Sequence, residues 1–412
     1  MGLSIPISRQ AAAGQTRLVS FDEASRLIAM HAKPLGVETV PIDAADGRIL
    51  AKPVAAKRAA PATSVSAMDG YAVRDRDLAQ LPTALTIVGK SFAGAGFGSA
   101  LPAGGCVRIF TGAPAPAGTE RVVMQEDVRE ENGVAIFAMP LSPRRHIRLP
   151  GSDFQQGDTI VSAGSILTPQ RLTGVAAADL AEVEVFRRPR VAILCCGDEL
   201  AEPGNAAQSP DKIPESISYG IAALVRQWGG IVVARWRRPD DLACLQAAAA
   251  DTAALADIVV VIGGASVGEK DHAKDAFVPL QMDFLFTKVA IKPGKPVWFG
   301  RAGKTLVVGL PGNPSSALVT GRLFLAPLLA GLCGGNAADA LDWRMMRSSS
   351  PVAGCSDRDV FSRATVMARS AGCLLDQDSA SQKALSDATH LIRRRSGDPS
   401  SGIDALVETL VL

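Results

Sequence analysis

Carboxylates, lysines and glycine-rich turns recur together between residues 195 and 314 of this 412-residue chain. Four segments carry them: Cys195-Cys196-Gly197-Asp198-Glu199, Pro239-Asp240-Asp241, Gly263-Gly264-Ala265-Ser266-Val267-Gly268-Glu269-Lys270-Asp271 and Gly309-Leu310-Pro311-Gly312-Asn313-Pro314. Glycine-rich turns that run into helix N-termini offer backbone N–H groups to a phosphate-like anion. Carboxylates on neighbouring loops suit a hard divalent cation such as Mg2+. The combination reads as a phosphorylated ligand held with a metal ion. Lys288, Lys292 and Lys295, on the run from Lys288 to Pro296, add a candidate anion-binding set. Each feature also has a plainer reading: Gly263-Gly264 and Gly312 as tight turns, Asp198 or Asp240 as helix caps, the lysines as a solvated loop. Cys195-Cys196 reads as buried packing at a strand end, because no nearby His pairs with it to activate a thiol.

These loops need elements to position them. Short apolar runs at Val191–Leu194, Ile231–Ala234, Ile258–Ile262 and Thr305–Val308 predict strands. Between them, Ser216–Trp228, Asp240–Leu255 and Lys270–Val278 predict helices. A final helix opens at Asn313-Pro314 and ends at Gly334-Gly335. Alternating strands and helices imply crossover connections, hence an α/β, doubly wound and mostly parallel sheet. Ligands bind outside the carboxyl ends of such strands, where all four loops fall. Upstream, Ser20–Met30 predicts an amphipathic helix capped by Ser20, with Phe21, Ala24, Leu27 and Ile28 on one face. Asp69 to Arg148 reads as a separate β-rich domain. Its Arg121–Val128 and Val134–Met139 runs flank a hairpin turn at Asn132-Gly133. Beyond Ala340, runs such as Val360–Val366 without helical period predict a small C-terminal β domain.

Two glycine motifs carry no such chemistry. Gly303-Lys304-Thr305 resembles the end of a Walker A loop, but Trp298 stands at the first glycine position and a strand follows. Gly94, Gly96 and Gly98 resemble a dinucleotide loop, but Ser99 replaces the last glycine and no helix follows.

Composition narrows the function classes. Forty-three Lys plus Arg against 41 Asp plus Glu give a net charge of +2, and aromatics are 5%. No nucleic-acid partner is expected. Basic clusters at Arg144–Arg148, Arg187–Arg190, Arg235–Arg238 and Arg393–Arg395 read as solvated element ends. Seven cysteines, an odd number without a CxxC pair, point to a reducing compartment without a structural zinc site. Met1 to Gln10 has no apolar leader core, and Leu323–Leu332 is too short to span a bilayer and contains Pro327. The expected location is cytoplasmic, with no membrane partner.

At Ser66-Ala67-Met68-Asp69-Gly70-Tyr71-Ala72 the chain resembles the molybdopterin molybdenumtransferase (molybdenum insertase) family, to which the C-terminal part of gephyrin is similar. Further matches follow in order: Arg108 to Ala113, Val122 to Glu126, Gly151-Ser152-Asp153, Gly197 to Leu200, Gly263 to Gly268, Lys292 to Pro296 and Pro311 to Pro314. The resemblance covers about Ser20 to Leu332. It implies an L-shaped homodimer of four-domain subunits: an elongated N-terminal region (1–58 with 150–187), an inserted β-rich domain (59–149), the doubly wound molybdopterin-binding domain (188–335) and a C-terminal β domain (336–412). The implied reaction takes adenylylated molybdopterin and molybdate, inserts molybdenum and releases AMP, with Mg2+ as the metal. Catalytic positions carry over onto Glu199, Asp153, Asp69 and Thr111. Metal positions carry over onto Asp240 and Asp271. Substrate positions fall on Gly263, Gly264, Ser266, Gly268, Lys288, Lys292, Lys295, Pro311, Gly312, Asn313 and Pro314. The resemblance further implies a site shared between subunits, a molybdopterin adenylyltransferase upstream and molybdoenzymes downstream.

Departures from the family pattern stand at Val65, Cys195, Cys196, Ile217, His272 and Thr389. They leave open a divergent paralogue that carries molybdopterin or the finished cofactor without turnover, and a nucleotide pyrophosphatase on a similar scaffold. The retained Asp69, Asp153, Glu199, Asp240 and Asp271 favour the insertase, because a pure binder has little need of several carboxylates in one site.

Overall fold

Arg190–Cys196 buries six consecutive residues, the pattern of a strand covered on both faces. It is the second of six strands in a doubly wound sheet. The computed structural model describes residues 17–264 and 272–412. They form two units: Thr39–Glu184, and the described residues up to Glu38 together with Val185–Leu412. The expected inserted β-rich domain thus lies in the first unit together with the stretches that flank it.

In the larger unit, the strands are β1 (Arg190–Cys196), β2 (Ile231–Arg238), β3 (Ile258–Ile262), β4 (Asp283–Phe286), β5 (Trp298–Ala302) and β6 (Thr305–Leu310). Their order is β2-β1-β3-β6-β5-β4. The first four are parallel and the last two antiparallel. Gly303 and Lys304 turn the β5–β6 hairpin, so the Walker-like run is only a turn.

Alternate strand residues feed two cores. Val191, Ile193 and Cys195 of β1 pack with α1 (Phe21–His31), α2 (Ile217–Gln227) and the helix Pro314–Leu332, α4. Ala192, Leu194 and Cys196 pack instead with α3 (Leu242–Leu255). Ser20 caps α1 by accepting the Glu23 N–H, and Asp241 caps α3 by accepting the Cys244 N–H at 2.8 Å. The cap of α3 is therefore neither Asp198 nor Asp240.

The late apolar stretch is longer than expected. Helix α4 runs for 19 residues, long and apolar enough to cross a membrane, but its most apolar 18-residue stretch is 89% buried in the protein core. It includes a π-helical turn over Gly321–Leu325, and Gly334 (φ +92°) ends it. The helix expected over Lys270–Val278 begins outside the described residues. Its described part is a 3-10 turn, Asp275–Leu280, where Pro279 withholds the N–H that a longer helix needs.

The C-terminal strands are β7 (Arg344–Ser348), β8 (Asp359–Met367), β9 (Ser370–Cys373), β10 (His390–Arg394) and β11 (Leu406–Val411). They run in the order β8-β9-β7-β11-β10, and a β8–β10 pairing closes them into a barrel. The short helix α5 (Gln382–Asp387), absent from the sequence reading, interrupts the strands. Arg393 was read as a solvated element end but is buried. It donates to Asp22 and Asp359 and lies 4.5 Å over the Phe21 ring, tying the barrel to α1.

The smaller unit holds a six-stranded sheet over Gly70–Phe137. Its hairpin pairs Val128–Glu131 with Val134–Phe137 across Asn132 and Gly133, both with positive φ. A 3-10 turn at Gln125–Asp127 splits the run expected to be one strand from Arg121 to Val128.

Asp257, just before β3, accepts from both Arg187 Nη atoms at 3.0 and 2.9 Å and from the Arg190 N–H at 2.8 Å. Burial pushes its pKa up, but these donors outweigh burial and hold it below the usual carboxylate value. The stabilisation is therefore present above the unfolded-state pKa and is lost as pH falls through the folded one. Arg187 is 34% exposed, so solvent trims the pair's worth. Asp257→Asn is expected to cost about 1–2 kcal/mol at neutral pH. Denaturant unfolding of both proteins should show that gap closing towards acid pH; a gap independent of pH would contradict the assignment.

Candidate functional site

The loops after β1, β2, β3 and β6 open into one cavity of about 580 Å³ at the carboxyl ends of the strands. Glu199 and Asp240 line it together with Gly263, Gly264 and Pro311 to Pro314. Its location is the one expected for an open parallel sheet.

Its floor depends on missing side chains. Gly263 has φ +88°, and a Cβ there would lie 2.6 Å from the Cys196 carbonyl oxygen. Its own N–H donates to Leu310 O at 3.3 Å, joining the ends of β3 and β6. Cys196 borders the cavity, whereas Cys195 faces the opposite core. Burial, and secondarily the nearby Glu215 carboxylate, push the Cys195 thiol pKa well up. It is a packing residue and not a nucleophile.

Glu215, which borders the cavity and is buried, did not appear among the expected site residues. Its carboxylate accepts the Ser218 N–H at 2.8 Å and bonds the Ser218 hydroxyl, so it caps the first turn of α2. The spacing of Glu215 and Ser218 is a capping signal that the sequence does carry. Ile217 lines the same wall and packs into the core beneath it. Pro296, Ala380 and Gln382 complete the boundary. The last two come from the C-terminal barrel's connecting segment, which no local pattern connects to the sheet.

The three lysines do not join this cavity. Lys288 is held in a two-residue parallel ladder opposite Leu18. Lys292 lines a separate open hollow with Asp357, Arg358 and Asp398. Lys295 is exposed, and its charge acts on Asp357. Asn313 was expected to cap α4, but its side-chain amide donates to Ser379 Oγ at 3.0 Å instead. Ser266, Gly268 and Asp271 lie outside the described residues. Among the described residues, no group of three or more His, Cys, Asp or Glu side chains is poised around a common metal position.

Asp69, Thr111 and Asp153 belong to the smaller unit. One carboxylate oxygen of Asp69 accepts both the Thr111 N–H and the Thr111 hydroxyl, each at 2.7 Å. The backbone bond first, then the hydroxyl, hold the Asp69 pKa below its usual value, with Arg108 adding to them. Asp69 is therefore a fixed anion near neutral pH, suited to accepting hydrogen bonds. Asp153 is exposed in a turn, with its N–H donating to Ala60 O at 3.0 Å. Phe92 and Phe110 stack near Thr111 with ring centroids 4.7 Å apart, a pairing the sequence reading missed.

Comparison with known proteins gives this geometry a context. A family model described as the MoeA N-terminal region (domain I and II) matches residues 19–178. A second, described as a probable molybdopterin binding domain, matches residues 192–331, which include every strand-end loop of the cavity. A molybdopterin molybdenumtransferase from Haemophilus influenzae is 38% identical over 319 residues, covering 77% of this chain and 78% of that protein. One from a Nostoc species is 37% identical over 304 residues, covering 72% and 70%. The crystal structure of a molybdopterin biosynthesis moeA protein from Pyrococcus horikoshii superposes with a TM-score of 0.82 at 26% identity, covering 96% of this chain and 99% of that one.

The Asp69–Thr111 pair is directly testable. Thr111→Val removes the hydroxyl and keeps the N–H, so the Asp69 pKa should rise part of the way to the ordinary carboxylate value, whereas Thr111→Ser should leave it low. Carbon-detected NMR titration of the side-chain carboxyl reads this; no rise in Thr111→Val would remove the hydroxyl from the account.

Proposed function

Because this chain belongs to the molybdopterin molybdenumtransferase family, we propose that its sheet-end cavity binds adenylylated molybdopterin and inserts molybdenum from molybdate, with release of AMP. The observation that carries the proposal is the convergence of Glu199, Asp240 and the two glycine loops on one cavity, within the part matched by the molybdopterin binding domain.

The charge of the lining supports a metal-assisted reading. Among its described residues are three carboxylates, Glu199, Glu215 and Asp240, and no Lys or Arg. A phosphorylated ligand entering such a lining meets like charge, which costs several kcal/mol unless a cation intervenes. Glu215 is committed to Ser218, and Glu199 and Asp240 are the other two carboxylates of the lining. Two carboxylates completed by phosphate oxygens and water are a usual Mg2+ environment. Asp240, with Asp271 from the neighbouring loop, would hold the ion. Bound Mg2+ would neutralise the diphosphate and polarise the bond that frees AMP.

The chain's own residues do the rest. The glycine turns at Gly263-Gly264 and Gly312 let backbone N–H groups approach the phosphates. Glu199 orients a water by accepting a hydrogen bond from its O–H. Pro311 and Pro314 stiffen the loop that leads into α4. Lys292 and Lys295, outside the cavity, attract the anionic substrates at longer range.

The same reading extends to assembly and place. A homodimer would let Asp69 and Thr111 of one copy serve the cavity of a second copy. A molybdopterin adenylyltransferase supplies the substrate in the cytoplasm, and molybdoenzymes take up the product.

The test combines purified protein, adenylylated molybdopterin, molybdate and Mg2+, with AMP release and activation of a cofactor-free molybdoenzyme as readouts. Glu199→Gln and Asp240→Asn should each lower the AMP-release rate by about 10²-fold or more while the pterin still binds. Pterin binding without AMP release or activation by the unaltered protein would make the chain a cofactor carrier instead.

A further inference from the structure

Arg363 lies in β8 of the C-terminal barrel and is only 1% exposed, yet its hydrogen bonds go to neutral oxygens. Nη1 donates to Ser315 Oγ at 2.7 Å and to Ser381 O at 3.1 Å. Nη2 donates to Asp376 O at 3.0 Å and to Asp378 O at 2.8 Å. Burying a cation costs free energy that packing alone would not justify, since an apolar side chain of similar volume fills such a site more cheaply. What the guanidinium adds is a planar fork that reaches several acceptors at fixed angles.

Those acceptors belong to two places. Three are carbonyls of the segment 376–382, which connects β9 to α5. The fourth is the hydroxyl of the second residue of α4, next to Pro314. Gln377 closes the clasp from the other side. Its side-chain oxygen accepts the Arg363 N–H, and its amide donates to Arg363 O, both at 2.9 Å. Three further bonds hold the segment to the start of α4: Ser315 N–H to Ser379 O at 3.1 Å, Ser315 Oγ to Ser381 O at 3.3 Å, and Asn313 Nδ2 to Ser379 Oγ at 3.0 Å. The segment is thus a strap across the start of α4, and Ala380 and Gln382 on it line the cavity.

We propose that Arg363 is a positioning residue for the molybdenum-transfer site, holding the strap 376–382 in register with α4 so that the barrel supplies one wall of the cavity. The identity of the ligand rests on the function proposed above; the strap's attachment does not. Arg363 touches no substrate in this scheme. It acts through the strap, so its loss weakens substrate capture more than the chemical step.

The experiment uses full-length Arg363→Met, Arg363→Lys and Ser315→Ala. Steady-state AMP release gives KM for adenylylated molybdopterin and kcat, and brief trypsin treatment reads cleavage after Lys383, on the first turn of α5. For Arg363→Met, KM should rise about tenfold, the loss of one or two net hydrogen bonds, with kcat within about twofold. Cleavage after Lys383 should accelerate by a similar factor. Arg363→Lys should recover part of both effects, and Ser315→Ala should shift both by about threefold. A folded Arg363→Met protein with unchanged KM and unchanged cleavage overturns the proposal. If Arg363→Met does not fold, Ser315→Ala decides by the same two readouts. If the unaltered protein releases no AMP, the functional reading fails, and trypsin cleavage alone judges the strap.

Discussion

The cavity exists because two backbones meet where a side chain would not fit. Gly263 ends β3 against the Cys196 carbonyl at the end of β1, and a Cβ on Gly312 would already touch the Gly263 Cα at 3.5 Å. Three strand ends therefore converge at close to backbone contact distance. That convergence is possible only because the sheet beneath them is rigid. Alternate residues of β1 are locked into separate cores on its two faces, so a one-residue slip would exchange every buried side chain between cores of different shape. The precision of the floor is inherited from the sheet.

Above the floor, the walls are held by polar side chains that have been spent on structure. Glu215 caps α2, and Asn313 reaches sideways to Ser379 instead of capping its own helix. Each of these commitments removes a polar group from the pool that a ligand could use. The described lining is acidic, with Glu199 and Asp240 beside Glu215, and the lysines stand elsewhere. On the function proposed above, an anionic substrate would be attracted from outside and would require a cation once inside. Under that proposal capture is separated from chemistry: long-range attraction would fall to exposed lysines, and short-range compensation to an ion held by the carboxylates.

Local chemistry was legible in the chain. The Ser20 cap, the Asn132-Gly133 turn and the alternation of strands with helices from β1 to β3 each depend on residues within a few positions of one another, and each stands as read. The four loops were legible too, because a parallel sheet places all its strand ends on one side. The lysine set stands outside this cavity for a physical reason. Proximity in sequence to a phosphate loop does not survive the ladder that pairs Lys288 with Leu18, nor the turn that sends Lys292 to another hollow while Pro296 stays at the cavity. The strap was invisible because its partners are non-local: Ser315 and Ser381 are 66 residues apart and meet only after the barrel has closed. Arg393 misled for the same reason, since its aromatic and acidic partners come from α1 and from β8.

The departures from the family pattern follow from the same packing logic. Cys195 and Cys196 lie on successive positions of a strand buried on both faces, where a small apolar side chain suits either core. Ile217 opens a helix whose next N–H, that of Ser218, is already satisfied by Glu215, while the Ile217 side chain packs into the core. Thr389 bonds His390 on the barrel, and Val65 sits in a two-residue ladder with Arg148 in the other unit. None of these substitutions removes Glu199 or Asp240, and none alters the glycine at which the strand ends converge. Cys196 and Ile217 make one wall of the cavity apolar. On the proposed function, a wall of that kind would exclude water beside the substrate's phosphates, which would strengthen every charge interaction within the cavity and the need for a compensating cation.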